Sequence, residues 1–170
     1  MTGNMEDQNK LDLVVTRIVD APIEMVWKAW TDPELVVRWW GPKDYTSPFC
    51  KIDLREGGRY IFCMRAPKEQ GGQDSYSIGE YSKIVPMERL EFTQKLGDKD
   101  GNPIDPAQIG MPADFPKELQ MVITFKAKGK MTELVITEYG WTPGQMYVYS
   151  LAGMHQTIDK LSDALAEARS

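Results

Sequence analysis

The hydrophobic positions near the end of the chain recur at helical spacing. From Trp141 to Ser170 apolar side chains return every three or four residues, the period of one face of an α-helix. Thr142 and Pro143 form a helix-start signal, because a hydroxyl can cap the first turn and proline is tolerated at the first helical position. The predicted stripe of this long helix consists of Tyr147, Leu151, Met154, His155, Ile158, Leu161 and Leu165.

Most of the remaining chain alternates between apolar and polar positions, which predicts β-strands. The alternation is cleanest from Leu119 to Lys128, where it indicates a strand with one covered and one wetter face. Because the long helix needs a wide apolar surface to pack on, we expect one curved antiparallel sheet in an α+β fold. The predicted strands are residues 11–19, 49–54, 59–65, 75–85, 89–96, 119–128 and 131–139.

Two short helices are predicted between the first and second strands. Asp20 and Pro22 give the first helix a cap and a proline in its first turn, and Asp32 with Pro33 repeats this signal for the second. We expect both helices to close one end of the sheet because they carry most of the tryptophans. These are Trp27, Trp30, Trp39 and Trp40.

Composition narrows the class of protein. The chain has 170 residues, of which 42% are hydrophobic and 26% charged, as in a single globular domain. The net charge of −5 argues against a nucleic-acid partner, and no apolar run of about 18 residues predicts membrane insertion. Residues 1–10 are polar and lack a secretory core, so we expect a frayed tail followed by one cytoplasmic domain over residues 11–170.

Two cysteines flank the predicted turn at residues 55–58. If that hairpin is symmetric, Cys50 and Cys63 lie opposite each other and a disulfide is conceivable. A reducing compartment favours two buried free thiols instead. A single histidine and the lack of a C-x-x-C pair argue against zinc, and we predict no metal and no cofactor.

One segment, residues 97–117, is rich in glycine and proline and has little periodicity. A stretch of about twenty residues without regular structure is unusual inside a compact domain unless it has a function or is disordered. Because it joins two sheet strands, it hangs from one end of the sheet. We interpret it either as a lid over a cavity mouth or as an inert loop.

An ordered set of short motifs, from about Val14 to Leu165, resembles the Hsp90-ATPase-activator-like (AHSA1-like) branch of the START/Bet v 1-type superfamily. The motifs are Ala21-Pro22 with Trp27, Thr31-Asp32-Pro33-Glu34, Trp39-Trp40-Gly41-Pro42, Asp53-Leu54-Arg55 with Gly57-Gly58, Gly79-Glu80-Tyr81, Pro86 with Arg89-Leu90 and Phe92-Thr93, and Gly153-Met154 before Ile158 and Leu161. The resemblance implies a helix-grip fold: a curved antiparallel sheet of about six or seven strands around the C-terminal helix, with two short helices closing one end.

The same resemblance implies an apolar cavity between sheet and helix. Our leading hypothesis is therefore a protein that binds a small hydrophobic or aromatic ligand there, although the same side chains would also suit a filled core. The predicted ligand-binding residues are Tyr60, Phe62, Met64, Phe92, Met121, Phe125, Trp141, Tyr147, Leu151, Met154 and His155.

The second hypothesis is an enzyme of cyclase, dehydratase or hydrolase type. His155, the single histidine, is a candidate general acid or base, with a hydrogen-bonded residue on the flank of the helix as the alternative. Glu80 and Glu138 lie within strands, where an inward-facing carboxyl would be a candidate base and an exposed one would not.

The third hypothesis is an interaction protein of co-chaperone type. The eukaryotic Hsp90 activator has a separate N-terminal domain for which this chain has no room, which argues against a chaperone partner. A homodimer is common in such folds and is kept as an open expectation.

Overall fold

The computed structural model describes residues 10–169, and in this part of the chain seven strands form one antiparallel sheet in the order β1-β7-β6-β5-β4-β3-β2. The strands are β1 (Leu11–Val19), β2 (Cys50–Ile52), β3 (Arg59–Arg65), β4 (Asp74–Val85), β5 (Arg89–Gly97), β6 (Leu119–Lys128) and β7 (Met131–Trp141). The helices are α1 (Ile23–Thr31), α2 (Pro33–Val36) and α3 (Gln145–Arg169). The predicted helix-grip fold is confirmed. The predicted frayed tail, apart from Lys10, lies outside the described residues.

The core lies on the inner face of the sheet, beneath α3. Side chains alternate along a strand, so one inward row crosses four strands through Val15, Ile136, Ile123 and Leu90, each at most 1% exposed. From α3, the buried side chains of Met154, Ile158, Leu161 and Leu165 face this surface. Each large apolar side chain buried in this way contributes about 1.5–3 kcal/mol to the free energy of unfolding.

The two short helices close one end of the inner face, as predicted. The Trp27 ring of α1 lies edge-on to Phe125, with their centroids 5.1 Å apart. The indole N–H of Trp39 donates to the carbonyl oxygen of Ala29 at 3.0 Å, which ties the segment after α2 to α1. Trp40 then meets Phe62 of β3 at 4.8 Å. We call this the closed end.

The capping predictions for the short helices are half right. Asp32 precedes α2, and its Oδ1 accepts a hydrogen bond from the backbone N–H of Glu34 at 2.9 Å. Asp20 does not cap α1. The residue in the cap position is Pro22, which makes no side-chain hydrogen bond to the first turn of the helix.

Lys160 ties α3 to the segment that follows α2. Its ammonium group donates to three backbone carbonyl oxygens, those of Gly41 at 3.0 Å, Pro42 at 3.3 Å and Tyr45 at 2.8 Å. An ammonium group has three N–H donors, so these contacts satisfy it fully. None of the helices in the described residues, α3 included, is both long and apolar enough to cross a membrane.

The two cysteines do not face each other. Cys50 of β2 is paired with Phe62, so Cys63 lies one position further along β3. Since neighbouring positions point to opposite faces of a sheet, Cys50 faces inward and Cys63 outward. The hairpin is therefore not symmetric about residues 55–58, and both cysteines are free thiols. Cys63 is buried and Cys50 is half-buried.

Candidate functional site

The inner face is closed by α1 and α2 at one end and open at the other. At the open end β3, β5 and β7 finish and α3 begins, and several inward apolar side chains there are only half-buried. We call this group the mouth. Its members are Met64 of β3, Leu96 of β5, Phe115 of the segment between β5 and β6, and Tyr147 and Leu151 of α3.

Two polar side chains lie among the mouth residues. Ser77 of β4 is paired with Leu96 of β5, and both are half-buried on the inner face. Gln94, two positions before Leu96, shares that face and is also half-buried. A hydroxyl and an amide therefore offer hydrogen bonds at the rim of an otherwise apolar surface.

The segment between β5 and β6 wraps around the open end of the sheet. Near its start, Gly101 lies over Ile61 on the outer face, and near its finish Phe115 lies on the inner side. The Phe115 ring is edge-on to Trp141 at a centroid distance of 5.9 Å, and Tyr147 meets Trp141 at 6.4 Å. Three aromatic rings from three separate parts of the chain thus meet at the mouth.

A bulge in β7 brings Trp141 to this position. β1 advances from Leu11 to Asp12 while β7 advances by two residues, so Gly140 is the extra residue. Its φ of 107° lies in the region that favours glycine. The bulge lets the Trp141 indole reach back along the strand, where its N–H donates to Oε1 of Glu138 at 2.9 Å.

Glu138 is the buried acid of the inner face, with 3% of its surface exposed. Its neighbours on the adjacent strands are Leu13 and Met121, both buried. Burial among these apolar side chains disfavours the charged form and raises the pKa of Glu138 to about 7, which the hydrogen bond from Trp141 opposes. This carboxyl group is therefore near its titration midpoint at neutral pH.

Cations are scarce around Glu138. Among the described strand residues that point inward, the charged ones are Glu138 and Arg17. The Arg17 guanidinium is already paired with the carboxylate of Asp159 on α3, at 2.7 Å. Among the described strand residues that point inward, Glu138 is therefore an acid without a paired cation, and the ammonium group of Lys10 at the open end donates to the hydroxyl of Thr142.

Most of the predicted ligand-binding residues do lie on the inner face, but at two depths. Met64, Tyr147 and Leu151 belong to the mouth. The others are core residues, each at most 9% exposed: Tyr60, Phe62, Phe92, Met121, Phe125, Trp141 and Met154.

The two predicted catalytic candidates lie outside this site. His155 is exposed on the flank of α3, with its Nδ1 3.4 Å from a guanidinium nitrogen of Arg17. Glu80 shares a face of β4 with Ile78, but that face is the outer one, and Glu80 is exposed. Neither side chain reaches the mouth: His155 is on the helix flank and Glu80 is an exposed carboxylate, which were the alternative interpretations of these two residues.

Two mouth residues were absent from the predicted set. Leu96 could have been found from the sequence, because it is four positions after Phe92 on the same strand and therefore shares its face. Phe115 lies in the segment without periodicity, where no pattern relates a residue to a face of the sheet. Its position follows only from the tertiary contact with Trp141.

Two cavities lie elsewhere in the molecule. One of about 140 Å³ lies between α1, α2 and the last turns of α3. Another of about 640 Å³ lies on the outer face, floored by Ile61 and Ile78. The charged residues around it are Lys51, Arg55, Arg59 and Lys95 with Asp53, Glu80, Asp100 and Glu118. These charges balance, which is typical of a solvated sheet face. Neither cavity lies between the inner face and α3.

Comparison with known proteins connects this geometry to a family. A family model described as activator of Hsp90 ATPase homolog 1-like protein matches residues 20–166. The crystal structure of a protein from Nitrosomonas europaea superposes with a TM-score of 0.73 at 26% identity, covering 94% of this chain and 96% of the other. No curated protein matches the sequence.

Two further solved structures have the same fold. The AHSA1-like protein from Aeromonas hydrophila gives a TM-score of 0.69 at 21% identity, covering 93% of this chain and 94% of its own. The AHSA1 protein from Silicibacter pomeroyi gives 0.71 at 19% identity, covering 93% and 99%. At identities this low, the similarity of these two structures shows a shared fold and nothing further.

Proposed function

The chain belongs to the family of activator of Hsp90 ATPase homolog 1-like proteins, and from this premise we propose that it binds a small apolar or aromatic molecule at the mouth, between the sheet and α3. One observation carries the proposal. At the open end of the inner face, which neither α1 nor α2 covers, the apolar side chains of Met64, Tyr147 and Leu151 are half-buried.

Such a surface is suited to a ligand. Apolar area left in contact with water costs about 25 cal/mol for each Å², and a molecule that covers it recovers that free energy. Small-molecule sites are commonly concave and apolar, with a few polar groups that set orientation. Ser77 and Gln94 at the rim, with Glu138 further in, are candidates for those polar groups.

The proposal is tested by titration with 1-ethylnaphthalene, a neutral aromatic probe, followed by the NMR signals of side-chain methyl groups. We expect the methyl resonances of Leu151 and Met64 to shift, while those of Ile61 and Ile78 on the outer face stay in place. Replacing Leu151 with Trp would fill the mouth and weaken binding about tenfold or more, equivalent to ~1.4 kcal/mol.

Val148→Trp is the matched control for that substitution. Val148 is on the same helix, one turn before Leu151, but 59% of its surface is exposed to solvent. Its replacement should leave the affinity unchanged. Equal losses in the two variants, or a probe that shifts no mouth resonance in the unmodified protein, would rule out binding at this place.

A second function, acid–base chemistry in the same place, is favoured only by Glu138. A carboxyl group with a pKa near 7 suits a general acid or base at neutral pH. Among the described residues, however, its hydrogen-bond partner is the indole of Trp141, and no serine, cysteine or histidine bonds to it. We therefore propose binding rather than catalysis. No contact among the described residues favours the co-chaperone hypothesis.

A further inference from the structure

We infer that the ligand is a small aromatic or apolar amine, whose ammonium group binds to the carboxyl group of Glu138 while its apolar body covers the mouth. The inference rests on the proposed function and adds the chemical class of the ligand. It follows from three features of the inner face: an incompletely bonded buried acid, the lack of an unpaired cation among the described strand residues that point inward, and the aromatic ring that bonds to the acid.

The hydrogen-bonding capacity of Glu138 is mostly unused. A carboxylate can accept about four hydrogen bonds through its two oxygens. In the described part of the chain, its bond is the one from the Trp141 indole N–H to Oε1, at 2.9 Å. A buried acid with spare acceptor capacity is costly unless a donor reaches it, and charge-assisted hydrogen bonds are the strongest available.

The charges of the inner face select against anions. A ligand carboxylate or phosphate would meet Glu138, and the inward cation Arg17 is already paired with Asp159 at 2.7 Å. The half-buried ammonium of Lys160 is likewise occupied by three backbone carbonyls. Like charges in a partly buried site repel strongly, so a neutral or cationic ligand is preferred over an anionic one.

The aromatic rings near Glu138 suit a cation as well as an apolar body. Trp141, which bonds to the carboxyl group, meets Phe115 at 5.9 Å and Tyr147 at 6.4 Å. The faces of such rings attract ammonium groups within about 6 Å of the centroid. Trp141 therefore places one aromatic ring beside the carboxyl group, and Phe115 and Tyr147 pack against that ring.

Burial raises the pKa of Glu138 to about 7, and an ammonium group bound beside the carboxyl would favour its ionised form and lower that pKa. Tyr60 of β3 is a titratable group close enough to feel the charge of Glu138, whereas Arg17 of β1 is in register with Leu134, four residues away along β7. Arg17 is neutralised by Asp159, and burial raises the pKa of Tyr60 well above its ordinary value, which keeps this phenol protonated.

The test compares four naphthalenes that differ in one substituent at position 1: aminomethyl, hydroxymethyl, ethyl and carboxylate. Affinities measured by calorimetry at neutral pH should decrease in that order, with the aminomethyl compound binding most tightly and the carboxylate most weakly. The amine should bind about tenfold or more tightly than the carboxylate, the effect of one charge-assisted hydrogen bond. In Glu138→Gln the amine should lose about tenfold in affinity, while the ethyl compound stays within about twofold.

Glu80→Gln, which changes an exposed glutamate on the outer face, serves as the control and should change none of the four affinities. If the carboxylate binds as well as the amine, or if Glu138→Gln leaves the order unchanged, the amine inference is wrong while the proposed site survives. If the ethyl compound does not bind either, the proposed function fails with it. If Glu138→Gln does not fold, the order of the four affinities in the unmodified protein still tests the amine inference.

Discussion

At the scale of single residues, Glu138 and Glu80 show how position decides chemistry. Both are glutamates in the middle of a strand with apolar residues two positions away. Glu138 points inward and is 3% exposed, whereas Glu80 points outward into solvent. The pKa of Glu138 is raised to about 7. The difference comes from burial, since the hydrogen bond from Trp141 acts in the opposite direction.

This difference predicts an unusual pH dependence of stability. Between its ordinary pKa of 4.5 and the folded value of about 7, Glu138 holds its proton in the folded protein and releases it on unfolding. Its contribution to the free energy of unfolding is therefore present at low pH and is lost as pH rises toward 7, by about 3 kcal/mol in all. Most carboxyl groups act with the opposite sign.

Glu138→Gln removes this titration while keeping the size of the side chain. Relative to the unmodified protein, the variant should gain about 2–3 kcal/mol of stability between pH 5 and pH 8, measured by urea unfolding at both values. Glu80→Gln should show no such change. If the difference in free energy of unfolding between Glu138→Gln and the unmodified protein is the same at pH 5 and pH 8, the pKa of Glu138 is not raised.

The sequence predicts which residues share a face but not which face is covered. Alternation groups Glu80 with Ile78 and Ile84, and Glu138 with Ile136. The first grouping is right for Ile78 only, because a register shift after Tyr81 turns Ile84 to the inner face. Ile78 is also buried although it faces outward, where it lies beside Gly97 of β5, so an apolar neighbour did not identify the inner face. His155 is adjacent to buried Met154, yet one residue turns a helix by about 100°, enough to carry it into solvent.

At the scale of elements, the contact between Lys160 of α3 and residues 41–45 joins the long helix to the segment that follows α2. Replacing Lys160 with Met would leave three carbonyl oxygens without their charged donor. We expect a loss of about 2 kcal/mol in the free energy of unfolding, as for hydrogen bonds to charged groups. Amide hydrogen exchange in residues 41–45 should also become faster, because the segment loses its attachment to α3.

Asp163→Ala, an exposed position one turn further along α3, is the comparison for helix propensity and surface charge. It should change stability by less than about 0.5 kcal/mol. If Lys160→Met is equally mild and leaves exchange at residues 41–45 unaltered, the three hydrogen bonds do not hold this segment.

The elements themselves were largely predictable because their periodicity is strong. β1, β3 and β6 begin and end where the sequence pattern placed them. The register of the β2–β3 hairpin was harder to predict from the sequence. A register that differs by one residue moves every side chain of the strand to the other face of the sheet. Cys50 is paired with Phe62 rather than with Cys63. The two cysteines therefore point to opposite faces of the sheet and do not form the disulfide that a symmetric hairpin would allow.

At the scale of the whole molecule, the fold divides the inner face into two parts. α1, α2 and their tryptophans cover one end, and α3 packs across β1 and buries Ile158 and Leu161 completely. At the other end the start of α3 and the segment carrying Phe115 leave the mouth half-open. The family resemblance in the sequence anticipated this layout, whereas the position of the Phe115 segment depends on tertiary contacts that have no sequence signal.

The central claim, that the mouth holds a small apolar molecule, is tested most directly by native mass spectrometry of the protein purified from its own host, followed by denaturing extraction. We predict a stoichiometric small molecule that is apolar and carries an amine, and that is lost from the Leu151→Trp variant. A protein without any bound molecule, whose melting temperature is unmoved by a broad panel of apolar and aromatic compounds, would contradict the claim and indicate a filled core.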